Sequence, residues 1–304
     1  MRAAIIDDGR LVIEERPDPV PGDGELLVRV RAAGINGADI AQRAGRYPAP
    51  PGAPADVPGL ECAGEVAAVG RGVRDFAEGD RVMALLGGGG HAELATVHER
   101  HALAVPSTLT DEQAGGFVEV FSTAHDALFA QAALAPGERL LVNGAAGGVG
   151  VAGVQLGIAA GASVTALARH GHERLEALGA DTSVDGEYDV VLELVGGDLV
   201  AEDLGRLAVG GRIVVIGMGA GSRVTLDLGL LMRKRGRISS STLRARRLEE
   251  KALVVQRLAR HVLPLVERGA VTVPVERAFP LADAQQAYDA FAAGGKFGKL
   301  VLVT

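Results

Sequence analysis

Apolar residues in the first hundred positions come in short runs: RAAIID (2–7), RLVIEE (10–15), ELLVRVRAAGI (25–35), ECAGEVAAVG (61–70), DRVMALL (80–86) and AELATV (92–97). Each is rich in Val, Ile or Leu, and Gly, Pro and Asp turns separate them. Strands at this spacing predict a compact barrel. Residues 46–61, RYPAPPGAPADVPGLE, carry Pro48, Pro50, Pro51, Pro54 and Pro58, so the stretch is an ordered surface loop, neither helix nor central strand. Near residue 107 the pattern changes. Ser, Thr and Asp in STLTDEQAGGF (107–117) are helix N-cap candidates. Strands at 139–143, 163–169, 188–195, 211–217 and 237–243 then alternate with helices at 148–160 and 173–179, and 248–269 is amphipathic and helical. This alternation predicts a parallel sheet covered on both faces. The tail returns to β texture at VPVERAFPL (273–281), followed by a helix at 283–292 and a strand in GKLVLVT (298–304). The expected plan is a β domain over 1–112, an α/β domain over 113–262, and a return to the first domain over 263–304.

Composition narrows the classes. The 304 residues are 48% hydrophobic, enough for two cores, and the 43 glycines punctuate elements without a repeat. A net charge of −7, with basic residues scattered, argues against a nucleic-acid partner. Cys62 is the single cysteine, which excludes a disulfide framework and a four-cysteine zinc site; it reads as a small core residue. No leader pattern and no apolar run of about 18 residues is visible, so a cytoplasmic protein without a membrane span is expected.

The strongest local signal is Asn143-Gly-Ala-Ala-Gly-Gly-Val-Gly150, lying between an apolar strand and a helix. That context fits a dinucleotide loop, in which small residues admit a pyrophosphate to the N–H groups opening the helix. Ala145 replaces the first glycine of the fingerprint, Gly147 and Gly150 match the others, and Gly148 and Val149 complete the candidate loop. The alternative is a tight strand-to-helix turn without a ligand. An NAD site places Asp or Glu about 20 residues further on, for the ribose 2′-OH. Here stand Arg169, His170, His172 and Arg174. A guanidinium binds a 2′-phosphate that a carboxylate repels, so NADPH is the expected cofactor. Against this, Arg169 and Arg174 also fit exposed helix-start charges, with Arg174 pairing to Glu173 or Glu176.

Taken in order, AAGINGADIAQRAGRYP (32–48), VPGLECAGEVAAVG (57–70), GDRVMALLGGGGHAELA (79–95), FSTAHDAL (121–128), NGAAGGVG (143–150), LELVGG (192–197), GGRIVVIGMGAG (210–221) and GGKFGKLVL (294–302) span nearly the whole chain. This series resembles the quinone oxidoreductase (zeta-crystallin-like) branch of the zinc-free medium-chain dehydrogenases/reductases, and most closely the members with Asn-x-Ala-Asp and Gly-x-Tyr. The resemblance implies an α/β protein with a GroES-like β-barrel catalytic domain, a Rossmann-type doubly wound parallel sheet, and a homodimer joined through a sheet edge. It implies that Asn36 and Tyr47 line the substrate pocket. Asn36 would hydrogen-bond an acceptor oxygen, and Tyr47 would stack on a flat ring or deliver a proton. The bland readings are a turn residue and loop packing. The resemblance further places Thr123 and Phe297 near the nicotinamide. Val195, Gly217 and Met218 follow later strands, at the edge where open α/β sheets bind ligands. Asp39 and Glu61 read as structural carboxylates. The match departs from the family between Ala180 and Tyr188, where relatives carry a longer stretch. The usual Ser and Lys of the 2′-phosphate site are replaced by Gly171 and Arg174.

Zinc-dependent members of the superfamily carry their metal ligands at positions that here hold Asn36, Leu60 and Glu119, whereas a catalytic zinc needs three protein ligands. His91, His98 and His101 read as packing or surface residues. Without a Lewis acid to stabilise an alkoxide, the expected acceptor is one already activated by conjugation, such as a quinone or a similar carbonyl compound. The alternatives are an NADPH-dependent 2-alkenal or enoyl reductase and, from another class, a redox-sensing or RNA-binding crystallin-type protein. The acidic charge argues against the last.

Overall fold

The short strands of the N-terminal stretch do assemble into antiparallel β structure. The computed structural model describes all 304 residues. Strands β1 (Arg2–Asp7) and β2 (Arg10–Glu15) form a hairpin. Strand β3 (Glu25–Gly34) follows, then helix α1 (Gly37–Arg43), β4 (Glu61–Val69), β5 (Arg81–Leu85), β6 (Leu94–His98) and β7 (Ala102–Ala104). Helices α2 (Asp111–Gly115) and α3 (Val118–His125) lead into a π-helical turn, Asp126–Gln131. The α/β segment runs β8 (Arg139–Asn143), α4 (Gly148–Ala159), β9 (Ser163–Leu167), α5 (His172–Ala177), β10 (Tyr188–Glu193), α6 (Leu199–Arg206), β11 (Leu207–Val215), α7 (Leu228–Lys234) and β12 (Arg237–Ser240). The chain closes with α8 (Leu248–His261), α9 (Leu263–Glu267), β13 (Val275–Pro280), α10 (Ala284–Ala293) and β14 (Lys299–Val303).

Two compact units result: Met1–Val120 with Leu243–Thr304, and Phe121–Thr242. In the first, a seven-stranded sheet runs β13-β14-β3-β4-β5-β7. The two halves of β3 take different partners along one edge, β6 over residues 25–29 and β14 over 32–34. Its core includes Leu26, Val28, Val30, Val66, Val82 and the free Cys62. The chain returns to this unit at Leu243, about twenty residues before the position read from sequence, and leaves it after Val120 rather than 112. The cause is local. Helix α8 is tied to the β unit by Arg100, whose guanidinium meets the Glu249 carboxylate at 2.5 and 2.7 Å, and by His101, bonded to the Leu248 carbonyl at 2.9 Å.

The second unit is a five-stranded, wholly parallel sheet in the order β12-β11-β10-β8-β9. Strand β9 lies on one side of β8 and β10 on the other, so the winding reverses at β8. Between Ala180 and Tyr188 the one strand pairing is an isolated parallel bridge from Asp181 to Thr165. No helix is long and apolar enough to cross a membrane.

Candidate functional sites in the two units

In a parallel sheet all carboxyl ends share one edge, and β8 ends directly into the glycine loop. Ala145 is fully buried, and its N–H bonds the Leu167 carbonyl at the end of β9 (3.1 Å). Gly147 caps α4 in an extended conformation, and the first bond within the helix runs from Val151 N to Gly147 O at 2.8 Å. The N–H groups of Gly148, Val149 and Gly150 therefore belong to the set a helix leaves without internal partners. A Cβ on Gly150 would collide with the Gly144 carbonyl oxygen and stand 2.6 Å from Ala145 Cα, so only glycine lets the helix approach the loop this closely. These features fit a dinucleotide pyrophosphate at the reversal point.

The other residues singled out in this unit fall on the same edge. Arg169 and Val195 each lie two residues beyond the ends of β9 and β10, and Gly217 and Met218 follow β11. Arg169 and Arg174 are exposed, His170 and Val195 are half-buried, and Met218 is exposed. His172 turns back to the Ala168 carbonyl (3.1 Å). Thr123 is buried on α3.

Behind the loop lies a buried cluster that sequence reading missed. Asn143 Nδ2 donates to Glu193 Oε2 (2.5 Å) and Asp203 Oδ2 (2.7 Å). Glu193 Oε1 accepts from the N–H groups of Val195 (2.5 Å) and Gly196 (2.7 Å), fixing the turn after β10. Burial first, and then the Glu193 carboxylate, push the Asp203 carboxyl up to about 8. An acid raised on folding stabilises the fold fully below its ordinary range, and that contribution is lost as pH climbs through about 8. Asp203→Asn should therefore flatten this dependence. Relative to the parent protein, its melting temperature should fall less between about pH 5 and about pH 9, as read by thermal unfolding in the two buffers. Parallel curves for the two proteins would refute the shift.

In the first unit Asn36 begins α1, with its backbone N–H donated to Asp39 Oδ2 at 2.8 Å, half of a capping box. Its side chain is fully engaged. Nδ2 donates to Glu61 Oε1 (3.0 Å) and the Gly34 carbonyl (3.3 Å), and Oδ1 accepts from Lys299 Nζ (2.7 Å). Lys299 also donates to Glu61 Oε1 (2.7 Å) and the Ile35 carbonyl (3.0 Å). Glu61 Oε2 accepts from the Glu119 N–H at 2.9 Å. The Glu119 carboxyl is pushed up to about 8, chiefly by burial and then by the charges of Glu61 and Asp39. Phe297, just before this lysine, is buried.

Tyr47 is held by a residue the sequence did not flag. Arg244, only 4% exposed, donates to the Tyr47 carbonyl (2.9 Å), the Gly87 carbonyl (2.8 Å) and Gln42 Oε1 (2.6 Å). Its guanidinium carbon lies 5.2 Å from the Tyr47 ring centre. The one available signal was a run of arginines after the last strand of the α/β segment.

The donors at the three zinc-ligand positions do not fit a catalytic zinc. Leu60 is apolar and buried, and the only Asn36 lone-pair atom already faces an ammonium. No group of three or more His, Cys, Asp or Glu side chains is disposed to hold a metal ion. His91 is buried and bonded to the Tyr288 hydroxyl (2.9 Å) and the Gly34 carbonyl (3.3 Å). His98 accepts from the Arg100 N–H, and His101 serves the α8 contact described above.

Comparison with known proteins agrees with both units. Residues 22–107 match the alcohol dehydrogenase GroES-like domain, and residues 161–302 match the zinc-binding dehydrogenase family. Rat quinone oxidoreductase (Rattus norvegicus) is 32% identical over 305 residues, covering 94% of this chain and 91% of that protein. The polyketide synthase GfsB of Streptomyces halstedii is 40% identical over 208 residues, 64% of this chain; the match spans only 4% of the synthase. The quinone oxidoreductase of Thermus thermophilus, whose structures include a complex with NADPH, superposes with a TM-score of 0.86 at 33% identity, covering 100% of both chains.

Proposed function

The chain belongs to the quinone oxidoreductase branch of the medium-chain dehydrogenase/reductase superfamily, and from that premise we propose that it is an NADPH-dependent, zinc-independent reductase of quinones or similar conjugated carbonyl compounds. The observation that carries the reading is the glycine loop at the sheet's reversal point, with Arg169, His170 and Arg174 in place of a ribose-binding carboxylate. When bound, the nicotinamide supplies a hydride. The N–H groups of Gly148, Val149 and Gly150 hold the pyrophosphate, with Ala145 and Gly147 shaping the loop. Arg169, aided by His170 and Arg174, grips the 2′-phosphate. Val195, Gly217, Met218, Thr123 and Phe297 are assigned to the nicotinamide end.

In the first unit Tyr47 contributes a flat ring and a hydroxyl for the acceptor. Both amide protons of Asn36 are already donated within the protein. Asn36 is therefore assigned to holding Glu61 and Lys299 in place rather than to gripping the acceptor oxygen directly. A cytoplasmic homodimer belongs to the same reading. Supporting it, β12 is a sheet edge, and Leu228 and Met232 on the adjoining α7 are 65% and 78% exposed.

The test is oxidation of NADPH and NADH in the presence of 9,10-phenanthrenequinone, a 2-alkenal and, in reverse, a primary alcohol with NADP⁺. Quinone-dependent oxidation preferring NADPH is expected. Turnover of the alkenal alone would move the reading to a C=C reductase, and turnover of the alcohol alone would refute it. Arg169→Ala should raise KM for NADPH roughly 10- to 100-fold, the worth of charge-assisted hydrogen bonds of about 1.5–3 kcal/mol. KM for NADH should stay unchanged. Equal effects on both cofactors would remove Arg169 from the 2′-phosphate site.

A further inference from the structure

Hydride addition to a conjugated carbonyl leaves negative charge on oxygen, and the site needs a positive group to receive it. The three buried cations of the first unit differ in what they have left to give. Lys299 spends its N–H groups on Ile35, Asn36 and Glu61. Arg244 spends its donors on Gly87, Tyr47, Pro48 and Gln42. Lys251, on the first turns of α8, is different. It is only 7% exposed, yet its ammonium makes no hydrogen bond or ion pair with the protein. It is also absent from the polar atoms sealed off without a partner, so the residual exposure reaches the ammonium itself.

Its ammonium lies against the loop that carries Tyr47. A Cβ on Gly87 would sit 3.8 Å from Lys251 Nζ, 3.4 Å from Pro50 Cγ and 3.2 Å from Ala53 Cβ. The ammonium thus packs beside Gly87 and the proline loop that carries Tyr47, where a larger residue at position 87 would crowd it. Arg244 touches the same Gly87 through its carbonyl.

We propose that Lys251 is the oxyanion-binding group of this enzyme, its ammonium receiving the phenolate or enolate oxygen formed when hydride reaches the acceptor. The inference rests on the reductase reading above. The balance is simple. The hydride brings two electrons and one hydrogen to the acceptor, the carbonyl π pair moves onto oxygen, and NADPH becomes NADP⁺. Lys251 holds the resulting anion until a proton from water completes the hydroquinone or ketone.

Energetics supports the assignment. A buried cation without a partner costs stability, so packing alone does not account for it. Burial lowers the ammonium below the ordinary lysine range, and Glu119 opposes this while Arg244 adds to it. The titratable and charged groups around it are Glu119, Arg244 and His101.

The probe is 4-nitrophenol, whose phenolate and phenol forms differ in absorbance. The parent protein should bind the phenolate and lower its apparent pKa. Lys251→Met should weaken phenolate binding at least about tenfold and cut kcat with 9,10-phenanthrenequinone by about a hundredfold. Lys251→Arg should keep most of both. Because Lys251→Met removes an unpaired buried charge, its melting temperature should equal or exceed the parent's, which separates loss of function from loss of fold. Unchanged phenolate binding in a folded Lys251→Met protein overturns the assignment. Lys251-dependent phenolate binding without turnover of any acceptor by the parent protein would support the anion site and sink the quinone reading, so the two failures are distinguishable.

Discussion

Lys299→Met is expected to lower the free energy of unfolding by about 3–5 kcal/mol, the range for removing one partner of a buried ion pair. The Glu61 carboxylate is wholly buried, and Lys299 is 2% exposed. Their contact at 2.7 Å is the only ion pair Glu61 makes. Without the ammonium, Glu61 retains the Asn36 amide and the Glu119 N–H. Two neutral donors do not compensate a buried charge, and Glu119 and Asp39 are acids close by. Methionine fills most of the lysine's volume, so a cavity contributes little. The double variant Lys299→Met/Glu61→Gln should recover much of the loss, because it removes the stranded charge as well. Urea unfolding of the two single variants and the double variant measures the coupling. A single variant within about 1 kcal/mol of the parent, the worth of an exposed pair, would show that this buried pair contributes no more than a surface one.

The alternation of helix and strand, the glycine loop and the barrel-like start were legible because each is written in neighbouring residues. Strand periodicity and a loop of small residues between β8 and α4 need no distant partner. The hub around Asn36 was not legible in this way. Asn-Gly-Ala-Asp reads as a turn until Asp39 is seen capping α1 and Lys299, 263 residues downstream of Asn36, is seen against the same amide. The aspartate at N3 was the missed local cue. Arg244 collects acceptors at positions 42, 47 and 87, a convergence no linear pattern encodes. The domain return was displaced for a similar reason. The amphipathic stripe of α8 suits a sheet face or a barrel flank equally, and its contacts with Arg100 and His101, far off in sequence, mark which one it takes. In the second unit, Glu193 closes β10 after the apolar run Val190–Leu192. An acid directly after that apolar run was a signal available in the sequence, whereas its proximity to Asp203 on α6 was not.

Two glycines of the phosphate loop separate the cofactor reading from the bland one. Gly150→Ala should damage both fold and binding. The new Cβ would collide with the Gly144 carbonyl oxygen and meet Ala145 Cα at 2.6 Å, which are backbone atoms of the loop itself. Relief requires moving α4 off the loop. Overpacking of this kind costs about 1–3 kcal/mol, equivalent to a roughly 10- to 100-fold loss of NADPH affinity where the strain falls on the bound form. A lower melting temperature should accompany it. Gly147→Ala differs. Gly147 has ordinary negative φ, and a Cβ there would lie 3.4 Å from the nearest atom, the Gly144 carbonyl oxygen. The fold should accept alanine with little change in stability. A pyrophosphate resting on the helix N-terminus would still meet the added methyl, because this is the glycine that lets a backbone approach the phosphates. Fluorescence titration with NADPH should therefore show weaker binding by both variants, while thermal unfolding shows damage only in Gly150→Ala. A loop that merely turns the chain from strand to helix would make Gly147→Ala silent in both measurements, and that result would remove the cofactor from this site.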